Sequence, residues 1–468
     1  MTRSRTLLLP AAAALLLALV EQPVRPEPTA PPPAPAPTAP APSPAPSTNG
    51  APEDAATTRY SAAWVEATLR DYHARFPKLT RLVELGRSHE GRTIWGLAIG
   101  RGLKRRDGRP AVLLNGAHHG VELVSIDMAL DAAEVLLLRA GEIGTDGQVL
   151  RRDPALDAQV KRWLDELVVW CVPVVNPDGV WASLHGNPRT GRKNGRDTNR
   201  NGRIDRTDGV DLNRNYPFRW GFLGDKGSSP VSTSYYYRGP EPASEPETRA
   251  MLRLAESERF VAAISFHSGS VAVLAPYTID NVKSPTPNEA WSVAEELVAG
   301  LPPHPQDRTW TVRQKLYPVD GTDQDTLRAS YGTLALLVEG ARGDPGTPQA
   351  RREVVLAARP LWTRLLDRYL NGPSLQGHVV DANGRPAVAE VTVAEVALNE
   401  QERWTSRCRD GRFDRYLAGP GRYTVQARLD GQVVAAQIVE AAAGSGPVRV
   451  QLTVPAPTKP PRCPPDPR

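Results

Sequence analysis

A chain of 468 residues and 50.8 kDa exceeds one ordinary domain and leaves room for two or three. Hydrophobic residues at 40% and charged residues at 23% exclude a wholly disordered chain and a multi-span membrane protein. A net charge of +5, with the basic residues dispersed among 52 acidic ones, excludes nucleic acid as an implied partner.

Residues 1–20 read as a secretory signal: Arg3 and Arg5 precede an apolar stretch from Leu7 to Val20, which is too short for a membrane span of roughly 20 residues. An export route to the cell surface, the periplasm or the extracellular space follows. A membrane is a partner only if this segment is retained as an uncleaved anchor. Residues 21–58 hold 13 of the 46 prolines and form an extended spacer that cannot bury a core. Such a spacer cannot act as a folded inhibitory pro-domain, so no zymogen step is expected. Residues 456–468 are a second proline-rich tail.

From residue 59 the pattern turns globular. A helix is predicted over 62–75, followed by two strands, "TRLVELGRS" and "RTIWGLAIG", around His89-Glu90-Gly91. Apolar strand-like runs then alternate with helical segments: "AVLLNG", a helix over about 121–139, "LVVWCVPVV", a helix over about 245–256, "FVAAISF", "VAVLAPY", a helix near 288–299, "GTLALLVEG" and a helix over about 349–371. This alternation predicts an α/β domain over 59–372 with a largely buried mixed central sheet flanked by helices. Residues 373–455 change to short strands with "NG", "GP" and "DG" turns, which predicts a small all-β sandwich.

Strand ends in an open α/β sheet are where polar residues gather for chemistry. His119 and Glu122 follow one strand, His267 ends another and Glu339 a third. Two imidazoles and a carboxylate with an open fourth position form the ligand set of a catalytic zinc. Taken alone, a His-x-x-Glu pair is as compatible with structural side chains.

Further motifs occur in order, and with them residues 59–372 resemble the zinc carboxypeptidases, including the A, B and N/E types. "GAHHGVE" resembles the family's zinc motif and selects His119 and Glu122 over His118, and "SFHSG" supplies His267. "VVNPDG", "GRKN", "DLNRNYP", "YRGPEPASEPET" and "YPVDGTDQDT" are similar to the family's loops, and Glu339 follows Tyr317 at the family's spacing of 22 residues. The resemblance implies one Zn²⁺ per chain and hydrolysis of the last peptide bond of peptides or proteins, with Glu339 as general base to the metal's water. It further implies that Arg192 stabilises the oxyanion, that Asn213 and Arg214 grip the terminal carboxylate and that Tyr317 caps the site.

Gln324 falls at the family's pocket floor, as in the N/E group with its preference for Lys or Arg. Thr278 stands where that group carries an acid, and Asp280 could substitute for it. Val121 and Thr326 depart from an arginine and a tryptophan common in the family, without touching the chemistry. Residues 373–455 resemble the transthyretin-like domain that follows the catalytic domain in the N/E group.

Two other functions keep the same motifs. One is a cell-wall peptidase or amidase of this fold; the other, a non-catalytic binding module, is disfavoured by the presence of Glu339 and all three ligands. The insertion "DTNRNGRIDRTD" places Asp197, Asn199, Asn201, Asp205 and Asp208 at positions 1, 3, 5, 9 and 12 of an EF-hand-type loop, with Gly202 at 6 and the Arg203 carbonyl at 7. It reads either as a Ca²⁺ site or as a solvated polar turn. Cys171 lies in an apolar run as a buried thiol, while Cys408 and Cys463 can pair in an oxidising compartment.

Overall fold

The computed structural model describes residues 58–104, 107–140, 153–186, 191–307, 309–399, 401–456 and 463. The signal expected over 1–20 and all but the last residue of the 21–58 spacer lie outside the described residues. Most of the 456–468 tail does too.

Runs rich in Val, Leu and Ile become strands. In chain order they are β1 (Thr80–Arg87), β2 (Thr93–Ile99), β3 (Ala111–Gly116), β4 (Val168–Val172), β5 (Ala262–His267), β6 (Ser270–Leu274), β7 (Val312–Arg313) and β8 (Leu334–Ala341). They form one mixed sheet in the order β1-β2-β4-β3-β5-β8-β6-β7. The centre, β4-β3-β5-β8, is parallel, and β1, β2 and β6 pair antiparallel. The central β3, β4 and β5 are buried on both faces.

Helices α1 (Ala62–Arg75), α2 (Val124–Ala140), α3 (Pro154–Glu166), α4 (Pro177–Leu184), α5 (Pro246–Glu258), α6 (Glu289–Val298), α7 (Asp323–Tyr331) and α8 (Pro348–Asn371) cover the sheet. Two apolar cores result. One joins the sheet to α1, α2, α3, α6 and α8 through Leu69, Leu136, Trp163, Val293 and Trp362; the other joins it to α5 and α7 through Leu254 and Leu327. The mixed α/β sheet flanked by helices is thus present.

Three helices, α3, α4 and α7, have no counterpart in the sequence expectations. Helix α7 illustrates why: Asp323, Gln324, Asp325, Thr326 and Arg328 are all buried, so no apolar stripe marks it. Helix α4 starts inside "NPDG", where Asn176 caps it by accepting from the Gly179 N–H at 2.8 Å and Pro177 opens the first turn. What reads as a loop is a helix start.

Beyond Gly372 the chain forms β9 (Ser374–Asp381), β10 (Glu390–Val393), β11 (Arg412–Tyr416), β12 (Gly421–Leu429), β13 (Gln432–Ala441) and β14 (Pro447–Val454). These make two three-stranded sheets, β10-β12-β13 and β11-β9-β14, around a core that includes Leu375, Val379, Phe413, Val425 and Leu452. Cys408 and Cys463 are disulfide-bonded with a Cα–Cα distance of 5.5 Å, and Cys171 is a buried free thiol. The sandwich and the eight-stranded sheet belong to one compact unit. No helix among the described residues is long and apolar enough to cross a membrane.

Candidate active site

The polar residues singled out on β3, β5 and β8 meet at the carboxyl ends of these parallel strands. His267 and Glu339 are register partners across β5 and β8, so pairing alone sets them side by side. After β3, Ala117 at φ 51° turns the chain out of the sheet, and His119 and Glu122 lie between β3 and α2. This turn packs against the start of α4 so closely that a Cβ on Gly120 would fall 2.0 Å from the Gly179 carbonyl carbon, which only glycine permits.

His119 Nδ1 lies 2.8 Å from Glu122 Oε1, and His267 Nδ1 lies 3.0 Å from Glu122 Oε2. All three residues are buried, and one ligand atom from each falls within 4.8 Å of the others. The far nitrogens are held as well: His119 Nε2 is 3.1 Å from Asp211 Oδ1 and His267 Nε2 is 3.2 Å from Ser265 Oγ. Imidazoles whose second nitrogen is hydrogen-bonded and whose first converges with a carboxylate fit a tetrahedral zinc. Burial works to raise the Glu122 carboxyl, and the His119 and His267 rings outweigh it, holding the group well below the usual range. His118 is excluded from this group. It is wholly buried, 2.9 Å from the Tyr216 hydroxyl, and burial lowers its pKa to about 4.

Asp211 is the hub. One of its oxygens, Oδ2, accepts from Arg192 Nε at 2.8 Å and sits 2.7 Å from Nη2; the other, Oδ1, faces His119 and accepts the Asn213 N–H at 3.1 Å. Burial would raise its pKa, yet the positive charges of Arg192, Arg214 and His119 hold it far below the ordinary value. Asn176 makes the next link, donating from Nδ2 to the carbonyls of His118 and Arg192, both at 3.1 Å.

A pocket opens beside these groups, lined by His119, His267, Glu339, Asn213, Arg214, Tyr317 and Gln324, with Leu274, Leu316, Val319 and Leu337 as apolar wall. Glu339 Oε2 and Arg214 Nε are buried and without a hydrogen-bond partner among the described residues. Burial first, and the Glu122 charge second, push the Glu339 carboxyl upward. Tyr317 is 47% exposed, with its hydroxyl 3.4 Å from Arg214 Nη2, so it stands at the mouth.

The family profile described as "Zinc carboxypeptidase" matches residues 65–344, more than half of the chain. The chain belongs to the zinc carboxypeptidase family. A "Metallocarboxypeptidase A" of Trichophyton tonsurans is 30% identical over 292 residues, 59% of this chain and 63% of that relative. A "Zinc carboxypeptidase A 1" of Anopheles gambiae is 30% identical over 272 residues, 57% of this chain and 55% of the other. The chain thus spans less than two thirds of the length of these relatives.

Bovine thrombin-activatable fibrinolysis inhibitor, solved with a tick carboxypeptidase inhibitor, has a TM-score of 0.52 at 21% identity, covering 66% of this chain and 96% of that one. Carboxypeptidase A from Helicoverpa armigera has a TM-score of 0.51 at 22% identity, covering 65% and 71%. Both share the fold.

As a zinc carboxypeptidase, the chain differs from the sequence expectations in three places. Asp211 and Ser265, which orient the two histidines, were not singled out, although Asp211 opens the quoted "DLNRNYP". The acid expected at the pocket for a basic side chain is missing: Asp280 is paired with Lys315 and does not line the pocket. Thr278 does line it, donating to Asp325 at 2.8 Å and accepting from Gln324 Nε2 at 3.1 Å.

The third difference lies in the insertion after Arg196. Asp197 accepts from the Asn201 and Gly202 N–H groups at 3.3 and 2.8 Å, Asn201 from Arg203, and Asp205 from Thr207. Asp208 turns inward to Thr198. The three carboxylates of Asp197, Asp205 and Asp208 do not converge as a ligand group, so the spacing of an EF-hand loop is present without its gathered acids.

Among the described residues one other group, His89 with Glu245 and Glu247, comes within metal-ligand distance. Its Glu245 already accepts from Ser244, Arg196 and Asn194 and lies 2.7 Å from His89.

Proposed function

We propose that the chain is a zinc-dependent carboxypeptidase acting on the free C-termini of peptides or proteins. What carries this reading is one pocket with two chemically distinct ends: the His119, Glu122 and His267 donors with Glu339 at one, and Arg214 with Asn213 at the other. Arg214 offers a buried guanidinium to a carboxylate, and that contact limits cleavage to the last residue. Zinc held by His119, Glu122 and His267 supplies Lewis-acid polarisation of the scissile carbonyl and acidifies water. Glu339 takes the proton of the attacking water at its unpartnered Oε2 and returns it to the leaving amine. Arg192, held by Asp211, stabilises the negative charge that develops on the carbonyl oxygen. Tyr317 closes the mouth over the C-terminal residue.

The far wall, Gln324 and Thr278 with four aliphatic side chains and Lys315, whose charge is paired with Asp280, offers no acid to a basic group and so favours an apolar or uncharged C-terminal side chain over a basic one. A release assay on peptides differing only in the last residue, each with a free or amidated end, tests both claims. We expect release from free ends only, loss of release with a chelator, and Glu339→Gln slower by about 10²–10⁴-fold with zinc still bound. Release from amidated peptides, or a near wild-type Glu339→Gln rate, overturns the reading. A preference of about tenfold for Arg over Leu overturns the pocket assignment.

Three further assignments belong to the same reading. Residues 59–372 form the catalytic domain and residues 373–455 a transthyretin-like sandwich, for which the two three-stranded sheets are the support. Export is supported by the basic and apolar start of the chain and by the paired Cys408 and Cys463, and fractionation of the producing cell tests it. Calcium binding by the 197–208 loop rests on ligand spacing alone, since its three acids are not gathered. Adding about 1 mM calcium then raises the melting temperature of the wild type but not of Asp197→Ala. No shift in the wild type makes the loop an ordinary turn.

A further inference from the structure

The sandwich reaches the back of the pocket through one buried carboxylate. Glu402 lies between β10 and β11, is 1% exposed, and accepts from the Tyr277 hydroxyl at 2.6 Å through Oε1. The same oxygen lies 3.4 Å from Arg328 Nε. Arg328 is itself fully buried, paired with Glu289 of α6 and stacked over the Trp404 ring of the sandwich at 4.4 Å.

Both partners of Glu402 lead directly to the pocket wall. Tyr277 precedes Thr278 in the chain, and Arg328 sits on α7 one turn after Gln324, on the same helical face. Thr278 and Gln324 line the pocket and are hydrogen-bonded to each other, and Asp325 of the same helix accepts from Thr278. The relay also orients the Gln324 amide: its nitrogen donates to Thr278, leaving Oε1 buried and without a partner at the pocket.

The wall segment is clamped from the sandwich side at two more points. Thr286 and Ala397 exchange N–H···O bonds of 3.0 and 2.9 Å, and Asn399 Nδ2 donates to the Lys283 carbonyl at 3.1 Å. The sandwich is thus attached to the strand-end segment and the helix between which the side-chain pocket is framed.

We propose that Glu402 is a positioning residue of this pocket, holding Thr278 and Gln324 in place through Tyr277 and Arg328, so that the sandwich helps to select the C-terminal side chain. The proposal rests on the carboxypeptidase reading. A merely structural role would lower turnover of every substrate alike. A positioning role touches only substrates that place a side chain in the pocket, because a C-terminal glycine leaves it empty.

The test compares zinc-loaded wild type with Glu402→Gln, which keeps the volume and removes the charge, on peptides ending in glycine and in the best side chain. The expected result is a fall of about tenfold in the ratio of kcat/KM between the two peptides, carried by KM, with the glycine rate within about twofold of wild type. An unchanged ratio, or an equal fall for both peptides, overturns the proposal. Tyr277→Phe, which keeps the ring stacked on Phe218 at 5.0 Å, carries the same expectation if Glu402→Gln does not accumulate in folded form.

Calorimetry of peptide binding to zinc-loaded Glu339→Gln, with and without the Glu402 change, reads the preference without turnover. Wild type that releases no residue from any peptide sinks the carboxypeptidase reading. A binding preference that survives Glu402→Gln sinks the positioning role alone.

Discussion

At the scale of single residues, the side chain with the most consequences is Asp211. It is wholly buried, yet it stays ionised because Arg192, His119 and the Asn213 N–H all converge on its two oxygens. One carboxylate therefore orients a metal-type ligand and the oxyanion arginine at once. Asp211→Asn keeps the shape but replaces an acceptor by a donor and removes the counter-charge of Arg192. The expected outcome is a zinc affinity lower by about 10–100-fold in a chelator competition. In parallel, kcat/KM should drop by about 10²–10³, mostly in kcat, since a loosened Arg192 fails where charge develops. Wild-type values in both measurements would show that Asp211 is only packing.

At the scale of elements, the start of α5 stores a titration that the melting curve can read. Burial pushes Glu247 up to about 8; the nearby His89 opposes this, while Asp178 and Glu245 add to it. The Glu247 carboxyl is ordinary, near 4.5, once the chain unfolds. Between these values the folded chain keeps a proton that the unfolded chain has released, so stability falls as pH rises through this window and levels off above it. His89, whose pKa is raised by Glu245 against the effect of burial, loses its contribution in the same direction. Glu247→Gln cannot ionise. Its melting temperature is expected to gain on wild type steadily from about pH 5 to 8, and parallel curves would refute the assignment. The same helix start shows what was legible in the sequence. Apolar strands and the long helices α2 and α8 could be read because burial on the sheet requires apolar spacing. Helices α4 and α7 could not, because their buried polar residues answer to groups far along the chain: Asp178 accepts from Ser88, Asp325 from Thr278, and Arg328 pairs with Glu402. The ligand motif was legible for the opposite reason: His119 and Glu122 are close in sequence, while their orienting partner Asp211 lies 92 positions from His119.

At the scale of the whole molecule, buried arginines join the sandwich to the α/β unit alongside the apolar contact of Tyr416 with Tyr369 of α8. Arg407 and Arg412 are buried, and each donates to the Glu258 carbonyl at the end of α5; Arg407 also donates to the Asp107 carbonyl, and Arg412 to that of Gly108. Arg409 lies 3.3 Å from the Glu258 carboxylate. These contacts come from the segment that carries Cys408, so the disulfide to Cys463 ties the end of the chain to the domain junction itself. A crosslink between residues 55 positions apart removes chain entropy from the unfolded state, with a loop-closure value of about 4 kcal/mol as an upper figure. The crosslink also restricts the segment from which Arg407 and Arg409 project. Cys463→Ser is therefore expected to lower the melting temperature by a few degrees at most, at about 1 °C for each kcal/mol in a chain of this size. A reductant should lower the wild type to the level of the variant and leave the variant unmoved. If the variant melts with the wild type under oxidising conditions, the crosslinked tail contributes nothing to the junction.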